Sequence, residues 1–284
     1  MSDQARADQT EQVWIGGGLV AADRAAVSPF DHGMTVGDGI FETLQIVRGE
    51  PFAVRRHLAR LRRSASGLGL RGLPDDRALR EAMAGVIEAN RVSHGRLRLT
   101  VTGGISPLGS DRGDAEPSVI IATAPPPAWE ATTAVVTVPW RRNEHSAVAG
   151  LKTTSYAENV VALAYAHDRG GSEAVFANTT GDLCEGTGSN VFVVVGNRLC
   201  TPPLASGCLA GITRELVFEL VEVEERPLPL AALIEAEEAF LTSSTRDVQP
   251  IRMVDGVPLP AAPGPHTEAA AAAFAVLLAR NIDP

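Results

Sequence analysis

Apolar and polar residues alternate strictly along Arg96-Leu97-Arg98-Leu99-Thr100-Val101-Thr102, the period of a strand with one face buried. Short apolar runs predict further strands at Val13 to Leu19, which enters a turn at Gly16 to Gly18, at Ser118 to Thr123, and in a hairpin of Ile40 to Val47 with Pro51 to Val54 across Arg48-Gly49-Glu50. The period then changes. Leu58, Leu61, Ala65 and Leu68 recur at helical spacing until Gly69 and Gly72 break it, and a second helix follows Pro74 with Leu79, Met83, Val86 and Ile87 on one face. Further along, the pattern predicts strands at Ala134 to Val138, Ala174 to Ala177, Val191 to Val195 and Ala239 to Thr242. Helices are predicted at Tyr156 to His167, Ile212 to Val223 and Thr267 to Arg280. Strands and helices follow one another without a regular βαβ succession, so the fold class is α+β, neither a doubly wound sheet nor a TIM barrel.

Ala124-Pro125-Pro126-Pro127-Ala128 is the one stretch with linker character. It divides the chain into a polar, disordered tail (1–12), a small α+β domain (13–124), a linker (125–131) and a larger domain (132–284). At 284 residues, 45% of them hydrophobic, the chain is long enough for two cores. The net charge of −9 argues against a general nucleic-acid partner, which needs a basic surface to release counterions. No apolar run is long enough to span a membrane, and the polar first dozen residues lack a secretory core segment, so a cytoplasmic location is expected. The three cysteines include no CxxC and the six histidines no paired spacing; no metal site is expected.

One count changes the picture. Of 25 basic residues, 24 are arginine and one is lysine, Lys152. A guanidinium stays protonated, whereas a lysine amine of lowered pKa can attack a carbonyl. Other segments carry weaker signals. Gly207-Cys208-Leu209-Ala210-Gly211-Ile212-Thr213 runs a turn into a helix whose exposed amides could bind a phosphate, although such a turn is more often a plain cap. Glu185, among the glycines of Asp182 to Asn190, is either an exposed turn residue or a buried acid paired with a ring nitrogen. Arg55, Arg56, Arg60, Arg62 and Arg63 read as a solvated basic face from which only Arg55 is expected to point into a cleft. No dinucleotide fingerprint, Walker A loop or GxSxG elbow is present.

Six blocks, in order and spacing, carry a resemblance: FDHGMTVGDGIFET, RRHLARL, LKTTSYAENV, GDLCEGTGSNVF, TPPLASGCLAGITR and AFLTSSTRDVQPI. Together they resemble the class IV family of pyridoxal-phosphate enzymes, which includes branched-chain and D-amino-acid aminotransferases and 4-amino-4-deoxychorismate lyase. The resemblance implies a two-domain fold with a β-barrel-like core in the larger domain, and a homodimer. It implies that Lys152 holds pyridoxal 5'-phosphate as a Schiff base and exchanges protons with the substrate. Glu185 would then pair with the pyridine nitrogen, while Arg55, Ile212, Thr213 and Ser244 hold the phosphate, with Tyr156 and Asn159 near the ring.

The implied activity is transfer of an amino group from an amino acid to a 2-oxo acid. GDGIFET and the preceding Asp31 look more like the D-amino-acid and lyase branches, which brings D-amino acids into view as donors. The alternative is a lyase forming 4-aminobenzoate and pyruvate. The familiar D-amino-acid enzymes carry an arginine where Gly103 stands, so the substrate carboxylate needs another cation. Arg98, sharing a strand face with Arg96 by period two, is the candidate.

Overall fold

The computed structural model describes residues 11–284, so all but the end of the tail expected over residues 1–12 lies outside the described residues. The chain separates into two compact units. One comprises the described residues up to Pro127 together with Leu151–Ser155 and Asp283; the other comprises Ala128–Gly150, Tyr156–Ile282 and Pro284.

In the first unit, strands β1 (Gln12–Ile15), β2 (Gly18–Ala21), β3 (Gly39–Val47), β4 (Glu50–Pro51), β5 (His94–Thr102) and β6 (Ser118–Ala124) form one sheet in the order β2-β1-β6-β5-β3-β4. The predicted strand Val13 to Leu19 is in fact a hairpin, because Gly16 and Gly17 take positive φ (63° and 85°) and reverse the chain. The alternation read from Arg96 onward is that of β5, which pairs antiparallel with both β3 and β6. Its inward residues Leu97, Leu99 and Val101 meet Ile40, Leu44 and Ile46 of β3 in one core.

Two helices cover that face. Helix α1 (Val54–Leu68) contributes Leu58, Leu61 and Ala65, and α2 (Asp76–Ala89) contributes Leu79, Met83 and Val86. Glycine stops α1 because Gly69 closes it at φ 72°, in the left-handed region. Asp75 starts α2 by accepting a hydrogen bond from the Ala78 amide.

The second unit holds a mixed sheet of β7 (Thr133–Arg142), β8 (Glu173–Asn178), β9 (Leu183–Gly186), β10 (Asn190–Val195), β11 (Arg198–Thr201), β12 (Glu224–Glu225), β13 (Glu238–Ser243) and β14 (Asp247–Val254). Their order is β12-β11-β10-β13-β14-β7-β8-β9, with β15 (Val257–Pro258) on β14. The sheet curls into a half-barrel. The β7–β8 and β7–β14 pairs are parallel and most others antiparallel, consistent with the α+β class. Val191, Val193, Leu241 and Ile251 point to one core. On the opposite face Phe192 and Phe240, cross-strand partners, stack at 4.7 Å, and Phe218 of α4 (Ile212–Leu220) packs against Phe192. Helix α3 (Ala157–His167) buries Ala162 and Ala166 against Phe176. The closing helix α5 (Pro265–Arg280) begins with proline at its first turn, and its opening amides at His266 and Thr267 donate to the Glu238 carboxylate.

Burial of such side chains stabilises each by about 1.5–3 kcal/mol. Leu97→Ala is therefore expected to lower the unfolding free energy by about 2–5 kcal/mol. Arg96→Ala, on the opposite face of the same strand, should change it by less than about 0.5 kcal/mol. Equilibrium denaturation in urea checks both.

Candidate active site

The lone lysine is held by backbone. The Lys152 carbonyl accepts the Phe41 amide at 3.0 Å, Thr153 bridges Ile40 antiparallel, and the Thr154 amide donates to the Gly39 carbonyl at 2.8 Å. Leu151–Ser155 thus runs beside the start of β3, and glycine permits the approach. A Cβ on Gly39 would lie 2.9 Å from both Thr154 Oγ1 and the Val101 carbonyl oxygen. The Lys152 amide donates to Ser64 Oγ on α1, and its Nζ stands 4.3 Å from the centroid of the Phe41 ring. The guanidinium of Arg98 lies against the same ring, 3.7 Å from the centroid, with Nε donating to Thr100 Oγ1. Amine and guanidinium thus both lie against the Phe41 ring.

Beside them is a buried cluster that the sequence reading missed. Glu42 of β3 is fully buried; it takes two hydrogen bonds from Arg60, at 2.8 and 2.6 Å, and one contact from His57 Nδ1 at 2.7 Å. Burial opposes its ionisation, but the charge and hydrogen bonds of Arg60, aided by His57, outweigh burial and hold its pKa down at about 2. Burial lowers the His57 pKa despite Glu42, with Arg60 and the Lys152 amine adding to the effect. Arg60, not Arg55, is the arginine of the basic run that turns inward. Arg55 is exposed on the first turn of α1, where its amide and guanidinium bond Asp283. His57, Arg60 and Ser64 recur at helical spacing one position before the apolar stripe Leu58, Leu61, Ala65. That offset stripe was the available signal.

In the second unit Glu185 lies within strand β9, not in a turn. Its Oε2 accepts the Leu209 amide at 2.8 Å, and Oε1 lies 3.2 Å from Arg142 Nε. Arg142 rests on the ring of Phe176, the residue paired with Glu185 across β8 and β9. Its Nη1 also donates to Asn159 Oδ1, while Asn159 Nδ2 donates to the Thr187 carbonyl; Asn159 is committed to holding this strand's neighbours. Ile212 and Thr213, both buried, open α4 after Gly211, which as a glycine offers no side-chain cap. Ser244 lies in the Ser243–Arg246 turn between β13 and β14, which Ser243 Oγ closes by accepting the Arg246 amide. Tyr156 is the residue preceding α3, and its carbonyl accepts the Val160 amide.

The thiols of Cys184 and Cys208 are buried, and burial raises both pKa values, that of Cys208 to about 11, so neither is a reactive thiolate at neutral pH. Among the described residues no group of His, Cys, Asp and Glu is arranged to hold a metal, and no helix is long and apolar enough to cross a membrane.

Because Glu42 has a lower pKa folded than unfolded, its contribution to stability is complete above the ordinary carboxylate value of 4.5 and is lost as pH falls toward about 2. Glu42→Gln leaves Arg60 without its buried partner and is expected to cost about 3–5 kcal/mol near neutral pH. It should also flatten the loss of stability across that acid window. Denaturation midpoints from pH 7 down to pH 3 check both.

The family model for class IV amino-transferases matches residues 39–254. The chain is 34% identical to a putative branched-chain-amino-acid aminotransferase of Methanocaldococcus jannaschii, over 86% of this chain and 88% of that one. It is 31% identical to the D-alanine aminotransferase of Bacillus licheniformis, over 90% and 93%. Its fold superposes on the crystal structure of the Escherichia coli branched-chain aminotransferase with a TM-score of 0.89, at 27% identity, covering 94% of each chain. With the match spanning both units and the fold agreeing, the chain belongs to the class IV aminotransferase family of pyridoxal-phosphate enzymes.

Proposed function

We propose that the protein is an aminotransferase that moves the amino group of an apolar amino acid to a 2-oxo acid, with branched-chain amino acids as the best-supported donor class. The observation that carries this reading is the pairing of Lys152 and Arg98 on the Phe41 ring. An α-amino acid bears its amine and carboxylate on one carbon, so its site needs an exchangeable amine and a fixed cation a few ångströms apart. A guanidinium suits the carboxylate because it can bind both oxygens. The Phe41 ring that both cations contact favours an apolar side chain. The similarity to a putative branched-chain enzyme supports that donor class, and the D-alanine aminotransferase relative keeps the D-hand as a testable alternative.

The residues fit pyridoxal phosphate. The opening amides of α4 lack a side-chain cap, leaving donors for a phosphate beside the Thr213 hydroxyl and Ser244. The Glu185 carboxylate, fixed by Leu209 and Arg142, is suited to a ring N–H. When bound, the cofactor supplies a pyridinium that delocalises the electron pair left as the substrate Cα–H bond breaks. Glu185 would pair with the ring nitrogen and favour its protonated form. Lys152 Nζ takes the proton from Cα. Arg98 grips the carboxylate and so orients that bond. Arg60, which turns inward beside Glu42 while Arg55 is exposed, replaces Arg55 in this scheme as the arginine assigned to the phosphate. Tyr156, at the start of α3, is assigned to the ring's edge.

Partner copies are expected to pair through the first unit. Phe30, Met34, Ile105 and Leu108 are exposed apolar residues, and the segments that carry them are joined by the Asp31–Ile105 bridge and the Ser106 amide to the Phe30 carbonyl.

Lys152→Ala is expected to lower kcat by about 10²–10⁴-fold. Arg98→Ala should raise KM by about 10- to 100-fold while the cofactor band stays intact. Adding L- and D-valine separately to the purified yellow protein should bleach the visible band with one enantiomer, which fixes the hand. Full turnover by Lys152→Ala would overturn the mechanism. Release of 4-aminobenzoate from aminodeoxychorismate without any amino acceptor would replace it with the lyase reading. Sedimentation should give twice the chain mass; an active monomer would contradict the dimer.

A further inference from the structure

Two turns of the second unit adjoin or carry residues assigned above to the cofactor. Glu185 immediately precedes the turn Gly186–Ser189, which is closed by the Gly186 amide donating to the Ser189 carbonyl, and Ser244 lies in the turn Ser243–Arg246. One buried ion pair joins these turns. Glu173, 3% exposed, uses Oε1 to accept the Thr187 hydroxyl and the Gly188 amide, the latter at 3.0 Å. Its Oε2 accepts Arg246 Nη2 at 2.9 Å.

Arg246, 8% exposed, is fixed on all sides. It stacks on Trp129 at 3.6 Å, and it donates from Nη2 to the Ser172 carbonyl at 3.0 Å and from Nη1 to Gln249 Oε1 at 2.5 Å. Gln249 in turn donates to the Glu130 carbonyl. There is no slack on the other side either, since a Cβ on Gly186 would lie 3.0 Å from Glu173 Oε1 and 2.4 Å from Ser189 Oγ. A buried ion pair adds little net stability over apolar residues of the same volume, so its presence here calls for a role in geometry.

We propose that the Glu173–Arg246 pair is a positioning element that sets the spacing between Glu185 and Ser244, and with it the fit of a rigid ligand carrying a basic ring nitrogen at one end and a phosphate at the other. The inference rests on the assignment of Glu185 and Ser244 to pyridoxal phosphate. The ligand's span is fixed by its aromatic ring, so binding depends on the two turns being held at the matching distance before it arrives.

Two variants separate positioning from stability. Thr187→Val removes the hydroxyl that joins Glu173 to the first turn and leaves the ion pair whole. Glu173→Gln with Arg246→Met removes both charges together. Equilibrium dialysis of each holoenzyme gives the pyridoxal phosphate dissociation constant, a pH titration of the visible band reports the ring environment, and thermal unfolding reports stability. Thr187→Val is expected to weaken cofactor binding by about threefold or more and the double variant by about tenfold or more, with the band's pH midpoint displaced in both. The thermal midpoint of Thr187→Val should fall by no more than the loss of one buried hydrogen bond allows. Unchanged affinity and pH midpoint in Thr187→Val would overturn the inference, and that variant decides alone if the double variant does not fold. Glu185→Gln and Ser244→Ala serve as controls: if neither alters binding or the band, the cofactor assignment falls and this inference with it.

Discussion

The short stretch of antiparallel contact between Gly39–Phe41 and Lys152–Thr154 is the constraint that fixes the place of the chain's single lysine. A lysine side chain has four rotatable carbons, and an amine at the end of a free loop would sample a wide volume. Here the backbone on both sides of Lys152 is fixed to β3, so only the side chain is left to move. The same contact brings the amine to Phe41, the buried aromatic ring of β3, which Arg98 reaches from β5 by strand register. Backbone pairing thus decides which side chains meet.

That contact is supported from behind by polar groups that are themselves buried. Ser64 accepts the Lys152 amide, and one turn back along α1 Arg60 and then His57 reach Glu42. A carboxylate in an apolar core would ordinarily be neutral; a guanidinium bonded through two nitrogens keeps it charged and therefore orders both partners. The second unit repeats the device with Glu173 and Arg246. A further ion pair, Asp38 with Arg112, fixes the loop after β5, because Arg112 also donates to the carbonyls of Leu68 and Gly69. A side chain at Gly103 would clash with the Asp38 carboxylate, so this position has no room for an arginine.

Charge distribution follows helix ends. The first-turn amides of α5 are satisfied by Glu238, whereas those of α4 face no side-chain cap.

Periodicity determined the strands β3, β5, β6, β10 and β13 and the helices α1 and α2, because a buried face leaves a regular apolar trace and glycine or aspartate marks the ends. The single lysine stands out in a chain that otherwise uses arginine, and the structure holds its backbone against β3. What the trace could not hold was pairing between distant segments. Strands β9 and β14 were missed because they are defined by their neighbours and not by their own pattern. Arg55 was favoured over Arg60 because a helix junction is visible in sequence, while the carboxylate that draws Arg60 inward lies 18 residues away on β3. Residue identity sets which reactions are available; the tertiary fold decides which of several like charges is desolvated, because desolvation depends on partners that only folding brings within hydrogen-bonding distance.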